Sequence, residues 1–559
     1  MPALTNPMIV QSDRTVLLEV QNPLYEAARD TLTVFAELEK SPEYMHTYRI
    51  SPLSLWNAAS AGLSAPDVLA GLTRYSKFPL PEAIQTEIRQ LMSRYGLVKL
   101  EQQDGHLFLT SSDRTILLEI THHKDVIPLL GTLKGPDRSE ILAEARGHLK
   151  EVLMKLGYPV EDLAGYNEGT PLPFSWRSMT LGGEPFALRD YQLDAVESFH
   201  LHGSLQGGSG VLVLPCGSGK TLIGIGVMEK LQVETLILTT NVTSARQWLR
   251  ELADKTNLTP EQLSEYSGEH KGIAPVTVAT YQILTYRDAA TSTYPHFELF
   301  NQKNWGLIIY DEVHLLPAPV FRATAELQAK RRLGLTATLI REDGKEDEVF
   351  TLIGPKKKDL PWKVLEAQGW IASAQCTEWR IPMSKSRRID YALAEEREKF
   401  RLAAENPRKT NKVAALLDRH PTDHILIIGQ YVQQLEFLAK ELRAPLITGK
   451  TPQKERERLY QKFREGEIHV LIVSKVGNFA VDLPDANVAI QVSGSFGSRQ
   501  EEAQRLGRIL RPKKGDPRAY FYSLVSRDTK EQEFGMKRQL FLTEQGYSYQ
   551  IAIEEDPDD

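Results

Sequence analysis

Cysteine is nearly missing: Cys216 and Cys376 are the only two in a chain of 559 residues. Standing so far apart, they argue against a disulfide framework and against a cysteine-built metal centre, and they fit a reducing compartment. Long apolar runs are lacking as well. No stretch approaches the ~18 residues a membrane span needs, and the opening MPALTNPMIVQSDR has no basic segment leading into an apolar run with a small-residue cleavage site. The expectation is a soluble cytoplasmic protein that engages no membrane. Nor is there an excess of either charge. Lysine plus arginine (67) against aspartate plus glutamate (73) leaves −6, so a nucleic acid partner must be held by local basic patches and not by the field of the whole molecule. With 41% hydrophobic and 25% charged residues, disorder and a coiled-coil build are both excluded. At about 150 residues per domain the length implies three or four domains.

The first ~175 residues mix short apolar runs, TVLLEV at Thr15 and HLFLT at His106, with helical stretches such as PEAIQTEIRQLMSRYG at Pro81, an α+β pattern. One segment echoes itself: Ser12 to Val20 reads SDRTVLLEV and Ser112 to Ile120 reads SDRTILLEI, identical at seven of nine positions. Both are expected as edge-exposed strands after a turn. The stretch AGYNEGTPLPF, Ala164 to Phe174, reads as a linker. Beyond it the chain alternates apolar strand-like runs with helical segments, at Gly210, Thr235, Val276, Gly306 and Arg332, and again at His424, Pro445, His469, Val488 and Ala519. Continuous apolar strands separated by helices mark parallel sheets covered on both faces, so two α/β domains are expected in tandem. The last six residues, Glu554 to Asp559, read as a solvated acidic tail.

The chemistry starts at Gly210, where GVLVL runs through Leu214 into Pro215-Cys216-Gly217-Ser218-Gly219-Lys220-Thr221 and then LIGIGVMEKL. Strand, glycine loop and helix make a phosphate cradle: backbone N–H groups turn inward, Lys220 reaches the β and γ phosphates and the Thr221 hydroxyl ligates Mg2+. The eight-residue pattern lacks its first glycine, which is Leu214. Asp311-Glu312-Val313-His314 follows the apolar run Gly306 to Tyr310, at the strand end where doubly wound sheets place ligands. There Asp311 holds magnesium and Glu312 orients or deprotonates the attacking water of an ATP hydrolase. Gln504, Arg508 and Arg511 lie within QRLGRILR in the second α/β domain, the two arginines three apart on one side of a helix. Such guanidiniums stabilise charge spreading over the γ-phosphate, so hydrolysis would require the two lobes to close.

Together these residues resemble the superfamily two helicases and, more narrowly, the XPB family of DNA repair helicases, over most of Arg189 to Ile551. Arg189-Asp190-Tyr191-Gln192 resembles the adenine-side glutamine motif. Thr336-Ala337-Thr338 is similar to the segment linking nucleotide and DNA sites, Arg341-Glu342-Asp343 matches the family's RED element, and Ser474-Lys475-Val476-Gly477 resembles its fifth motif. The resemblance implies two RecA-like motor domains, at 176–365 and 366–559. Ahead of them it implies an amino-terminal α+β domain at 1–110 and a damage-recognition-like domain with linker at 111–175. It implies ATP and Mg2+ as cofactors and 3′-to-5′ movement on a DNA single strand or fork in nucleotide excision repair. The protein would be nucleoid-associated and monomeric and would work with a partner nuclease or repair factor.

Ser384 to Lys412 carries nine lysines and arginines against five acids, opposing the sign of the whole chain. Such clusters bind phosphates with release of counterions, and the position matches the family's thumb-like insertion. Arg387, Arg388, Lys409 and Lys412 are its expected DNA contacts, joined in the motor domains by Arg246, Thr280, Tyr281, Arg341, Glu342, Asp343 and Lys475, with backbone contacts near Ser244, Thr448 and Gly449. Trp248, Tyr281, Trp362 and Trp370 are candidates to stack bases, with core packing as the competing fate. Two other functions share these motifs: a double-strand translocase that displaces no strand, and a recruitment scaffold with a vestigial motor.

Overall fold

The computed structural model describes residues 5–42, 44–215, 217–288, 294–328, 330–337, 345–360, 365–366, 368, 373–474, 486–494, 518–544 and 548–556. Two compact units divide the chain. One comprises Met1–Glu39, Tyr44–Leu214 and Gly219–Asp359, the other Lys40–Glu43, Pro215–Ser218 and Leu360–Asp559.

The chain first builds a four-stranded sheet from Met8–Val10, Thr15–Glu19, Met45–Arg49 and Glu37–Lys40, in that spatial order. Helices follow. Glu82–Arg94 buries Ile84, Ile88 and Met92 at four-residue spacing, one stripe of a helix face. A five-stranded sheet comes next, ordered Leu130–Lys134, Arg138–Ile141, His106–Ser111, Val98–Gln103 and Val160–Asp162, and it takes strands from both sides of position 110.

The repeated segment does not form two edge strands. In the first copy Thr15–Glu19 is an interior strand, paired on one side with Met8–Val10 and on the other with Met45–Arg49. In the second, Arg114–Thr121 is an α-helix whose start is capped by Asp113, which accepts from the Thr115 and Ile116 N–H groups. Leu18 is fully buried in the strand while its counterpart Leu118 is 48% exposed on the helix.

Nor is Ala164 to Phe174 a free linker. Thr170 N–H donates to the Asn304 carbonyl and Leu172 N–H to the Gln232 carbonyl, and Leu172 and Phe174 are buried. The five-stranded region is sealed to the motor sheet by the helix Arg146–Lys155. A Cβ on Gly147 would stand 2.2 Å from the Ala325 carbonyl oxygen, so only glycine permits this approach. Beside it Lys150 Nζ donates to Asp162 at 3.1 Å and to Gln328 Oε1 at 2.7 Å, and Arg146 donates to both Asp162 oxygens, at 3.1 and 2.7 Å.

The first motor sheet has seven parallel strands, ordered Leu263–Tyr266, Val276–Thr280, Thr235–Thr239, Leu307–Asp311, Arg331–Thr336, Ser209–Val213 and Lys356–Asp359. The second has seven more, ordered Leu446–Ile447, Val470–Ser474, Ile425–Gly429, Val488–Gln491, Arg518–Ser526, Ser373–Ile381 and Ser548–Ile553, also all parallel. Every apolar run expected as a strand in the two motors is one. The polar edge strands Leu263–Tyr266 and Lys356–Asp359 carry no such run and escape a reading by hydrophobicity.

Candidate active site

Ser209–Val213 is buried along its whole length, and beyond it the Leu214 N–H donates to the Thr336 carbonyl at 2.8 Å. Gly217 and Gly219 take left-handed backbone, with φ of 83° and 79°, so residues bearing a side chain would be strained there. The helix Lys220–Leu231 starts at once, with Thr221 in its first turn. A helix start offers backbone N–H groups and the positive end of the dipole, the setting in which phosphate binds. A Cβ on Gly219 would lie 2.6 Å from Gln192 Nε2, so the glutamine amide packs directly on the loop. Gln192 is buried and accepts from the Arg189 N–H at 3.0 Å, while Arg189 donates to the Tyr191 hydroxyl at 3.2 Å.

One strand separates this loop from the acids. Parallel strands end at a common edge, so Lys220 and the residues after Tyr310 emerge together. Lys220 Nζ donates to Glu312 Oε1 at 2.9 Å. Glu312 itself has φ 51° and ψ 54°, a conformation costing a side-chain residue about 1–3 kcal/mol, of the kind that clusters at functional sites. The two adjacent carboxyls are driven apart. Burial, then the neighbouring Glu312 charge, push Asp311 up to about 6, against the opposing pull of Lys220 and Trp248. Burial would raise Glu312 too, but Lys220 and then His314, with the Ala337 N–H, hold it below its ordinary value. Glu312 is therefore the more readily ionised of the two, suited to polarise a water, and His314 Nδ1 lies 2.7 Å from Thr336 Oγ1 and ties this acid segment to the next motif.

Asp311 is a half-buried carboxylate beside a like charge, a situation that a divalent cation relieves. Its oxygens and the Thr221 hydroxyl are hard donors, so the residues present fit Mg2+. Two contacts on Asp311 carry no sequence signal: the Trp248 indole Nε1 donates to Oδ2 at 2.9 Å, and the Tyr281 hydroxyl donates to the Asp311 carbonyl at 2.9 Å. Trp248 and Tyr281 are both buried, which removes them as base-stacking side chains. Thr280 is buried as well and caps the helix Tyr281–Leu284 through the Ile283 N–H, so its hydroxyl is not a phosphate contact. Arg246 is half-exposed and pairs with Glu265 and Glu269.

In the second unit the basic segment folds as three helices, Lys385–Leu393, Glu396–Ala404 and Arg408–Arg419. Lys409 is not a DNA contact. It is buried, with Nζ donating to both Glu531 oxygens at 3.0 and 2.8 Å and to the Val492 carbonyl. The described part of the acidic tail is not wholly solvated, because Asp556, its side chain 1% exposed, pairs with Arg388 and, at 2.8 Å, with Arg408; residues 557–559 lie outside the described residues. Lys412 pairs with Glu554 at 3.0 Å and lies 3.5 Å over the Trp379 ring, and Arg387 donates to the Glu405 carbonyl. Cys216, Thr338, Arg341, Glu342, Asp343, Trp362, Trp370, Lys475, Gln504, Arg508 and Arg511 lie outside the described residues.

Three family models match the chain: the ERCC3/RAD25/XPB C-terminal helicase over residues 365–558, a helicase conserved C-terminal domain over 8–133, and the res subunit of type III restriction enzyme over 185–341. The chain is similar to the DNA 3'-5' helicase XPB of Kineococcus radiotolerans, at 52% identity covering 99% of this chain and 97% of that one. The protein of the same name from Mycobacterium tuberculosis is 52% identical, with 98% of each chain covered. The general transcription and DNA repair factor IIH helicase/translocase subunit XPB of Encephalitozoon cuniculi is 33% identical, covering 98% of this chain and 83% of that one.

Proposed function

The chain belongs to the XPB family of DNA helicases, and from that premise we propose that it is an ATP-dependent 3′-to-5′ DNA helicase that opens DNA during nucleotide excision repair. The observation that carries the reading is the Lys220–Glu312 pair at 2.9 Å, set between a left-handed glycine loop and the half-buried Asp311. Lys220 is held where a β,γ-phosphate displaces Glu312 as its partner. The freed Glu312 carboxylate then orients water, and Gln192 with Arg189 borders the base side. Asp311 and Thr221 would hold magnesium, which when bound would neutralise charge on the phosphates. Gln504, Arg508 and Arg511 enter the proposal as the groups that stabilise charge on the γ-phosphate. Of the basic segment, Arg387, Arg388 and Lys412 remain the phosphate contacts, with Arg246 and Lys475 in the motors. A partner nuclease or repair factor completes the proposal.

The test is strand displacement from a 3′-tailed duplex, run beside triplex displacement and ATP turnover with no nucleic acid, single strand, fork and duplex. Strand release on the 3′ tail, abolished in Lys220→Ala, is the expected result. Triplex displacement without strand release would replace helicase by double-strand translocase, and turnover unaffected by Lys220→Ala would remove the site assignment.

A further inference from the structure

We propose that Trp248 is a positioning residue that fixes the Asp311 carboxylate and, with Tyr281, fastens it to the two segments expected to follow the DNA strand; the proposal rests on the reading of Asp311 as the magnesium carboxylate. Trp248 stands in the helix Val242–Lys255, whose first turns hold Ser244 and Arg246. Tyr281 opens the short helix after Thr280. From these separate elements one donor reaches the Asp311 side chain and one its backbone carbonyl, each at 2.9 Å.

An indole N–H only donates. Bound to Oδ2, it fixes the rotation of the carboxylate and leaves Oδ1 to face another partner. The ring has no freedom of its own, because a Cβ on Gly224 would meet Trp248 Cη2 at 2.4 Å. Gly224 belongs to the helix that Lys220 opens, where an interior glycine costs about 1 kcal/mol relative to alanine. That glycine makes room for the tryptophan, so the ring is wedged between the phosphate-loop helix and the acid strand. A displacement of the Val242–Lys255 helix on contact with DNA is thereby transmitted to Asp311 through a single bond, whose strength falls steeply with distance and angle.

The test is Trp248→Phe in the full chain, which keeps an aromatic ring against Gly224 and deletes the donor. Fluorescent mant-ADP is titrated with and without MgCl2. Loss of a hydrogen bond to a charged group predicts affinity with magnesium weakened about tenfold, while metal-free affinity is unchanged. DNA-stimulated kcat/KM for ATP with magnesium falls by at least the same factor. Tyr281→Phe, which removes the donor to the backbone carbonyl and not one to the carboxylate, gives a smaller loss of the same kind. Equal weakening with and without magnesium would make Trp248 a packing residue only, and no change in either would remove it from the site; both overturn the proposal. Lys220→Ala, run in parallel, separates this from failure of the site reading, since turnover surviving that change would discredit the site whatever Trp248 does.

Discussion

Asp162 and Asp311 are both largely removed from water in the same compact unit and both feel a lysine, yet desolvation ends differently at each. Around Asp162, Lys150 and Arg146 more than repay desolvation, and the carboxyl falls well below its usual range, while burial brings Lys150 itself down to about 8. Among the described residues the side-chain donor to the Asp311 carboxylate is a neutral indole, and the next residue is another acid, so the carboxyl rises to about 6. One cluster is electrostatically closed within the chain. The other is left in deficit, as a group is when its counter-charge arrives with a ligand, and it is the upward direction of the displacement that points to function.

The same substitution at both positions tests this contrast most severely. Asp311→Asn is expected to lower ATP turnover by on the order of 10²–10³-fold, while unfolding in denaturant shows stability unchanged or raised, because a like-charge repulsion is removed. Asp162→Asn strands two buried cations and is expected to cost about 3–5 kcal/mol. If Asp311→Asn destabilises as much as Asp162→Asn, the contrast is broken. A smaller effect is set by pH. Asp311, raised in the fold, contributes stability that is present in acid and lost as pH rises through about 6. Asp162, lowered in the fold, contributes stability present above about 4 and lost only below it. Melting without magnesium should therefore show the advantage of Asp311→Asn over wild type shrinking from pH 7 to about 5, while Asp162→Asn keeps a large deficit throughout that range.

The same lesson about context explains what the sequence concealed. SDRTVLLEV and SDRTILLEI differ only by Val16 and Val20 against Ile116 and Ile120, and no local propensity separates strand from helix on that basis. Arg14, at φ 72°, turns the first copy back between two waiting strands, while Asp113 caps the second as a helix. Partners decide, not propensity. The smallest predicted effect lies here: Asp113→Ala should cost about 1 kcal/mol by loss of the helix cap, read by chemical unfolding, and a loss several times larger would mean that the helix is not held by its neighbours. The motor strands were legible because burial on both faces leaves unbroken apolar runs, and Lys220, Asp311 and Glu312 because each follows such a run. Trp248 on Asp311, Lys409 on Glu531 and Asp556 on Arg388 and Arg408 were not, since each joins residues far apart in the chain and nothing in a tryptophan or a lysine announces its partner.

The seam at Gly147 bears on how this molecule can be dissected. A fragment beginning at Gly165 would keep the whole first motor sheet yet uncover the Ala325 backbone, take Lys150 from Gln328, and remove Asp162 from the neighbourhood of the buried Arg332. The natural cutting line therefore does not run in front of the motor, and the five-stranded region is part of the smallest piece able to stand alone with it.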